Sequence, residues 1–165
     1  MTLMTEYTSA CQKTWKLANK GGITHLHLGI LGEFGEVCDV IKKYIRGDFK
    51  KEQFKSNIKK EIGDLTWYLV TYAHDNSLLS ISDEFPKPKN SRILDNIKKM
   101  TVLNGRLAIA DSHQEKRIII KNLIGKTTDL AWCFGFTMED ICRKNIEKTH
   151  SRANRGVIFG NGNDR

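Results

Sequence analysis

Leu-Gly-Glu-Phe-Gly-Glu-Val at residues 31–37 and Lys-Glu-Ile-Gly-Asp-Leu at residues 60–65 carry acidic residues at the same spacing inside apolar patterns typical of helices. The two pairs are Glu33 with Glu36, and Glu61 with Asp64. Residues three apart are neighbours on one helical face, so each pair sets two carboxylates side by side. Carboxylate oxygens are ligands that hard cations prefer. The two stretches therefore predict two helices and a candidate metal site.

The second acidic pair lies in an unfavourable place for a charge. At about 100° per residue, Glu61 falls inside the apolar stripe of its helix, and Asp64 lies at the edge of the same stripe. That stripe consists of Phe54, Ile58, Leu65, Tyr68, Leu69 and Tyr72. Burying an unpaired charge costs several kcal/mol. Glu61 therefore requires a cation, which is either a metal ion or a basic side chain such as Lys59 or Lys60.

The first acidic pair is less distinctive by itself. We predict that the apolar stripe of its helix consists of Leu31, Phe34, Cys38, Ile41 and Ile45. Glu33 and Glu36 project away from that stripe, so this pair alone is compatible with a solvated helical face. Two such pairs on consecutive helices are a stronger indication of a metal site than one pair, and a salt bridge at Glu61 stays the alternative.

The periodicity predicts an all-α fold. We expect helices near residues 5–19, 26–46, 52–79, 92–110, 114–134 and 138–151, and no segment has the alternating texture of a strand. At 165 residues, the chain has the length of one domain, which we place at 1–165. Thr137-Met-Glu-Asp140 resembles a capping box that opens the last helix. Two antiparallel helices that carry the acidic pairs predict a helical bundle with its metal site between them.

The ligand types limit the metal. Di-iron helical bundles use a Glu-x-x-His pair, whereas neither acidic pair here includes a histidine. An oxygen-only ligand set favours Mg²⁺, with Mn²⁺ as a substitute, over iron or zinc.

Three features predict a cytoplasmic protein. No apolar run approaches the roughly 20 residues needed to cross a bilayer. The N-terminal Met-Thr-Leu-Met-Thr-Glu-Tyr lacks the pattern of a secretion signal. The four cysteines show no Cys-x-x-Cys spacing and are expected to be reduced residues in or near the core.

The net charge of +8 is concentrated in two segments, residues 42–60 and 143–155. A basic surface suits nucleic acid, an anionic membrane or a small polyphosphate. Its position around a carboxylate cluster favours the polyphosphate, because metal ions and basic side chains together neutralise phosphate oxygens at phosphoryl-transfer sites.

Both acidic stretches resemble a known family. Gly-Glu-Phe-Gly-Glu-Val-Cys-Asp-Val-Ile-Lys-Lys and Lys-Glu-Ile-Gly-Asp-Leu-Thr-Trp-Tyr-Leu are similar to the Glu-Glu-x-x-Glu and Glu-x-x-Asp signature of the MazG-like all-α nucleoside triphosphate pyrophosphohydrolases. Met-Glu-Asp-Ile-Cys-Arg-Lys-Asn-Ile-Glu-Lys-Thr looks like the last helix of that family, and the glycine-rich tail from Ser151 resembles short, often phage-borne members. The resemblance covers roughly residues 24–79 and 128–165.

The resemblance implies hydrolysis of an NTP or dNTP to the monophosphate and pyrophosphate. It makes Glu33, Glu36, Glu61 and Asp64 the metal ligands, with one of the first two also acting as general base. For the substrate we expect phosphate contacts from Lys148 first, then from Lys43, Arg46 and Arg152. Asn145 can bond a phosphate or a ribose hydroxyl, and Trp67 can stack on the base, although solvated or core positions are the ordinary alternative for each of these residues.

The sequence departs from the family pattern in two places. Gly32 stands where the signature has its first acid, and residues 80–127 form a longer connection that predicts an inserted helical hairpin. So small a bundle predicts a homo-oligomer with sites at or near the subunit interface, and the resemblance implies a homodimer or homotetramer. The alternative is that the inserted hairpin substitutes for part of a partner subunit. Two rival interpretations remain, a basic helical protein that binds nucleic acid and a family member that regulates without catalysis.

Overall fold

Six helices form the described part of the chain, and no strand occurs there. The computed structural model describes residues 2–15, 22–80 and 83–156. The helices are α1 (Leu3–Thr14), α2 (Gly22–Arg46), α3 (Lys51–Asp75), α4 (Ile93–Ile109), α5 (His113–Cys133) and α6 (Met138–Asn154). The predicted all-α class is confirmed, and each expected helix has a counterpart.

Helices α1 and α2 differ from the prediction at their facing ends. Helix α1 ends at Thr14, because Trp15 is extended with ψ 114°; residues 16–19 of the predicted helix lie outside the described residues. Helix α2 begins at Gly22 and not at residue 26. Gly22 is buried four residues before Leu26, so the stripe that α2 packs against the core extends back to this glycine.

Helix α3 ends four residues before the predicted end at residue 79. The N–H of Leu78 donates to the carbonyl of Ala73, and the N–H of Ser77 donates to that of His74. This is a Schellman motif, with Ser77 in the left-handed region at φ 54°. Helix α5 ends at Cys133 and is followed by the same motif, in which Gly135 has a φ of 81°. Because a serine stands where this motif usually has a glycine, the sequence does not reveal where α3 ends.

Helices α2 and α3 form an antiparallel pair with the most extensive contacts in the bundle. His25 lies beside Tyr68, with ring centroids 6.0 Å apart, and Tyr44 stacks on Phe54 at 4.0 Å. The start of α2 thus lies beside the end of α3, and the end of α2 beside the start of α3, so the two helices run in opposite directions. The Tyr68 ring lies so close to Gly29 that a Cβ at this position would overlap with Cε1 of the ring. The pair therefore depends on a glycine at this position.

The predicted apolar stripe of α2 is only partly correct. Phe34 and Ile41 are partly buried and pack against the core, but Leu31 is 41% exposed and Ile45 is 81% exposed. The buried residues of α2 are Gly22, Leu26, Ile30, Val37 and Val40. Helix α2 has apolar residues at helical spacing on two faces. The face that packs against the core includes Glu33, so both acidic pairs place their first member within a buried stripe.

The remaining helices complete one core, to which all six helices contribute. Helices α4 and α5 form a hairpin across residues 110–112, and α5 packs on α3. The connector before α4 runs along α5, where the Lys89 N–H donates to Asp129 at 2.7 Å. Helix α6 contacts α1 and α3, and its predicted capping box between Thr137 and Asp140 is confirmed. None of the described helices is long and apolar enough to cross a membrane.

Candidate metal centre

Three of the four predicted ligands meet between α2 and α3. Glu33, Glu61 and Asp64 each offer a carboxylate oxygen, and these atoms all lie within 4.8 Å of one another. Glu61 and Asp64 are one turn apart on α3, and Glu33 faces them from α2. The structure therefore brings together two acids from one helix and one from the other.

Glu36 lies outside this cluster and is exposed. Because α2 and α3 are antiparallel, the step from Glu33 to Glu36 runs opposite to the step from Glu61 to Asp64. Each step covers about 4.5 Å along its helix axis. Glu36 is therefore displaced away from Asp64 and towards solvent, although it stays one turn from Glu33.

The electrostatics of the cluster favour a bound cation. Burial raises the pKa of Glu33 to about 7, and the charges of Asp64 and Glu61 add to the rise. Burial also raises the pKa of Glu61, although the Lys60 ammonium 3.1 Å away opposes this effect. Lys60 is thus the basic partner of Glu61 that the sequence allowed as an alternative to a metal ion. Glu33, by contrast, has no ion pair within the described residues. The oxygen-only set and the crowding of negative charge fit Mg²⁺ or Mn²⁺.

Helix α6 brings two polar side chains to Asp64. Asn145 Nδ2 donates to Asp64 Oδ1 at 2.8 Å, and the Lys148 ammonium forms an ion pair with the same oxygen. Burial lowers the pKa of Lys148, while Asp64 opposes the effect. Both donors bind Oδ1, and within the described residues no hydrogen bond to Oδ2 of Asp64 occurs.

Asn145 is buried between two protein partners. Asn145 is 4% exposed, and its amide lies between Asp64 and the Tyr7 hydroxyl, which donates to Asn145 Oδ1 at 2.8 Å. The structure therefore places its polar atoms against protein partners. Sequence reasoning missed Tyr7, because its position in the buried stripe of α1 is that of an ordinary core aromatic residue.

The other predicted basic residues lie farther from the carboxylates. Lys43 forms an ion pair with Asp39 at 2.6 Å, and Arg46 pairs with Asp48; both basic side chains are more than 40% exposed. Arg152 is near enough to Lys148 for its charge to contribute to lowering the Lys148 pKa. Of the predicted basic phosphate contacts, Lys148 thus pairs with Asp64 and Arg152 lies near Lys148, whereas Lys43 and Arg46 pair with other aspartates.

Trp67 belongs to an aromatic group at the end of α1. Its indole N–H donates to Thr14 at 3.1 Å, and its ring is 6.0 Å from Trp15 and 5.0 Å from Tyr68. It is partly buried and packs against the core. Trp67 is one turn beyond Asp64 on α3.

Residues 22–86, which include α2, α3 and the whole carboxylate cluster, match the family model of the MazG nucleotide pyrophosphohydrolase domain. This region of the chain is thus MazG-like. No curated protein and no solved structure gives a match. The matched MazG-like region ends at residue 86, so the contributions of α1 and α6 rest on the contacts described above. The family consists of nucleotide hydrolases, and the cluster lies where the two acidic helices of the domain face each other.

Proposed function

We propose that this protein is a Mg²⁺-dependent nucleoside triphosphate pyrophosphohydrolase, which converts an NTP or dNTP to the monophosphate and pyrophosphate. The observation that carries the proposal is the cluster of Glu33, Glu61 and Asp64 within the MazG-like region. Lys148 supports it, because it brings a positive charge to the edge of the same cluster.

Glu33, Glu61 and Asp64 are the residues that hold the cation in this proposal. When bound, Mg²⁺ neutralises phosphate oxygens and increases the acidity of a coordinated water. Asn145 and Lys148 fix one oxygen of Asp64, which leaves the other to face the site. Lys60, which precedes Glu61 on α3, donates a hydrogen bond to Glu61 Oε1 and so restrains that carboxylate.

Glu36 is the general base in this proposal. It lies one turn from Glu33 but outside the carboxylate cluster and is exposed, so a cation held by the other three acids leaves its oxygens able to accept a proton from water. Glu36→Gln should then retain Mn²⁺ binding while kcat falls by about 10²- to 10⁴-fold. Glu33→Gln should lower both the Mn²⁺ affinity and kcat. Loss of Mn²⁺ binding in Glu36→Gln would assign Glu36 to the ligands instead.

Lys148 and Arg152 are the proposed phosphate contacts. Lys148 pairs with Asp64, and Arg152 lies near Lys148 on α6, so a phosphate bound at the cluster meets positive charge there. Lys43 and Arg46 supply a weaker field from the far end of α2, since each is paired with an aspartate. Trp67 is the proposed contact for the nucleobase, which its aromatic group can meet by stacking.

A second copy of the chain is the proposed partner. Leu28 is 64% exposed, Leu31 41% and Ile45 81%, so α2 presents apolar side chains to solvent. A homodimer or homotetramer would bury this face. We also propose that residues 80–127, which include the greater part of the α4–α5 hairpin, are a helical insertion in the domain, and that the protein works in the cytoplasm, in keeping with its four free cysteines.

The direct test is release of pyrophosphate and of orthophosphate from a panel of NTPs and dNTPs with Mg²⁺, Mn²⁺ or EDTA. The control is folded Glu61→Gln protein, which keeps the size of the side chain and loses its charge. We expect metal-dependent release of pyrophosphate that is abolished in the variant. Release of orthophosphate alone, or no turnover with metal bound, would contradict the proposal. Strongly salt-dependent binding of nucleic acid without turnover would favour the nucleic-acid-binding alternative.

A further inference from the structure

Tyr7 places a buried hydroxyl where α1, α3 and α6 meet. The residue is 0% exposed, and its hydroxyl lies 2.8 Å from Asn145 Oδ1 and 3.3 Å from the carbonyl oxygen of Gly63. Both neighbours are acceptors, so the hydroxyl acts as a donor, and the shorter contact is the one to Asn145. Burial raises the pKa of Tyr7 well above its usual value, which keeps the donor proton in place.

The Asn145 amide links Tyr7 to the carboxylate cluster. A primary amide has an acceptor on one side and donors on the other. Here Oδ1 receives the Tyr7 proton, and Nδ2 donates to Asp64 Oδ1 at 2.8 Å. The reverse orientation would place the amide oxygen against the carboxylate, so only one orientation satisfies both neighbours.

Gly63 permits this arrangement by its lack of a side chain. A Cβ at this position would lie 3.2 Å from Asn145 Cβ and 3.3 Å from Nδ2, closer than such atoms ordinarily approach. Helix α6 therefore lies directly on the backbone of α3 at the residue before Asp64. The chain of contacts from Tyr7 to the carboxylate is short, buried and held on three helices.

We propose that Tyr7 is a positioning residue for the carboxylate site: its hydroxyl fixes the Asn145 amide, which in turn fixes Asp64. Partners that orient a ligand in this way commonly change metal affinity by 10- to 100-fold when removed. Tyr7 lies outside residues 22–86, so α1 sets the geometry of a site whose acids all belong to the MazG-like region. The catalytic part of this inference rests on the proposed function, whereas the effect on metal affinity does not.

The test is Tyr7→Phe, which removes the hydroxyl and keeps the ring. Tyr72→Phe is the matched control, because Tyr72 is also a buried tyrosine, at 3% exposure, and its hydroxyl has no hydrogen bond within the described residues. We expect Tyr7→Phe to weaken Mn²⁺ binding, measured by calorimetry, by about 10-fold and to lower kcat with little change in KM. Tyr72→Phe should leave the Mn²⁺ affinity unchanged.

A double-mutant cycle separates positioning from general loosening of the core. In an Asn145→Ala background, Tyr7→Phe should have no further effect on Mn²⁺ affinity, because the link that it acts through is already gone. Equal Mn²⁺ affinity of wild type and Tyr7→Phe, additive effects in the cycle, or absence of Mn²⁺ binding to the wild type would each overturn the inference. Mn²⁺ binding that depends on Tyr7 in a protein with no nucleotide turnover would uphold it while refuting the proposed function.

Discussion

Replacing Glu33 by glutamine removes one negative charge from the carboxylate cluster and keeps the size of the side chain. In the metal-free protein, burial and the neighbouring Asp64 and Glu61 raise the pKa of Glu33 from 4.5 to about 7. A shift of this size corresponds to about 3 kcal/mol against the charged form. Because the side chain is partly exposed, solvent screening reduces this, and we expect Glu33→Gln to stabilise the metal-free fold by about 1–2 kcal/mol at pH 8.

The pH dependence follows from the direction of the shift. Below pH 4.5 the carboxyl of Glu33 is protonated in both the folded and the unfolded protein, so its charge costs nothing. Between pH 4.5 and about 7 the unfolded chain loses this proton first, and the folded state becomes progressively less stable. The stability difference between Glu33→Gln and wild type should therefore be small at low pH and complete above pH 7.

Urea unfolding in EDTA at pH 5 and pH 8 measures this difference. Glu36→Gln is the matched control, since Glu36 belongs to the same helix but not to the cluster. Adding Mg²⁺ should stabilise the wild type and Glu36→Gln much more than Glu33→Gln. A Glu33→Gln protein that is no more stable than wild type at pH 8 in EDTA would refute the argument that crowded carboxylates destabilise the empty cluster.

Three further predictions concern the fold. Ser77→Gly should raise stability by about 1 kcal/mol, because Ser77 holds a positive φ of 54°; a loss of stability in urea unfolding would contradict this. Thr137→Ala should cost about 1 kcal/mol by removing a helix cap that Thr137→Ser retains, as calorimetric melting can check. Gly29→Ala should destabilise by about 1–3 kcal/mol through its clash with Tyr68. Gly105→Ala, in open helix surface, should instead stabilise by about 0.5–1 kcal/mol, so unfolding changes of the same sign in both would disprove this reasoning.

Local patterns explain what the sequence predicts well. The helical period identifies the acidic helices and places Glu61 in a buried stripe, where it is 9% exposed. Side-chain chemistry next to a turn identifies the cap at Thr137. The same period does not determine which of two apolar faces of α2 meets α3, and a stripe that includes Glu33 is the less obvious choice. Packing between the helices decides it.

Contacts between distant residues account for what the sequence does not predict. Tyr7 and Asn145 are 138 positions apart, and Asp64 and Lys148 are 84 apart. No local pattern links such residues, so the buried role of Asn145 emerges only when α1, α3 and α6 are packed together. The separation of Glu36 from the other acids likewise follows from the antiparallel arrangement of α2 and α3, which equal spacing in sequence does not reveal.

Titration of Mn²⁺ into wild type and Glu61→Gln, followed by electron paramagnetic resonance, tests the central claim most directly. The account predicts that the wild type binds Mn²⁺ and that the variant, while still folded, binds it at least about 10-fold more weakly. Equal binding by the two proteins, or none by the wild type, would contradict a metal centre built from Glu33, Glu61 and Asp64.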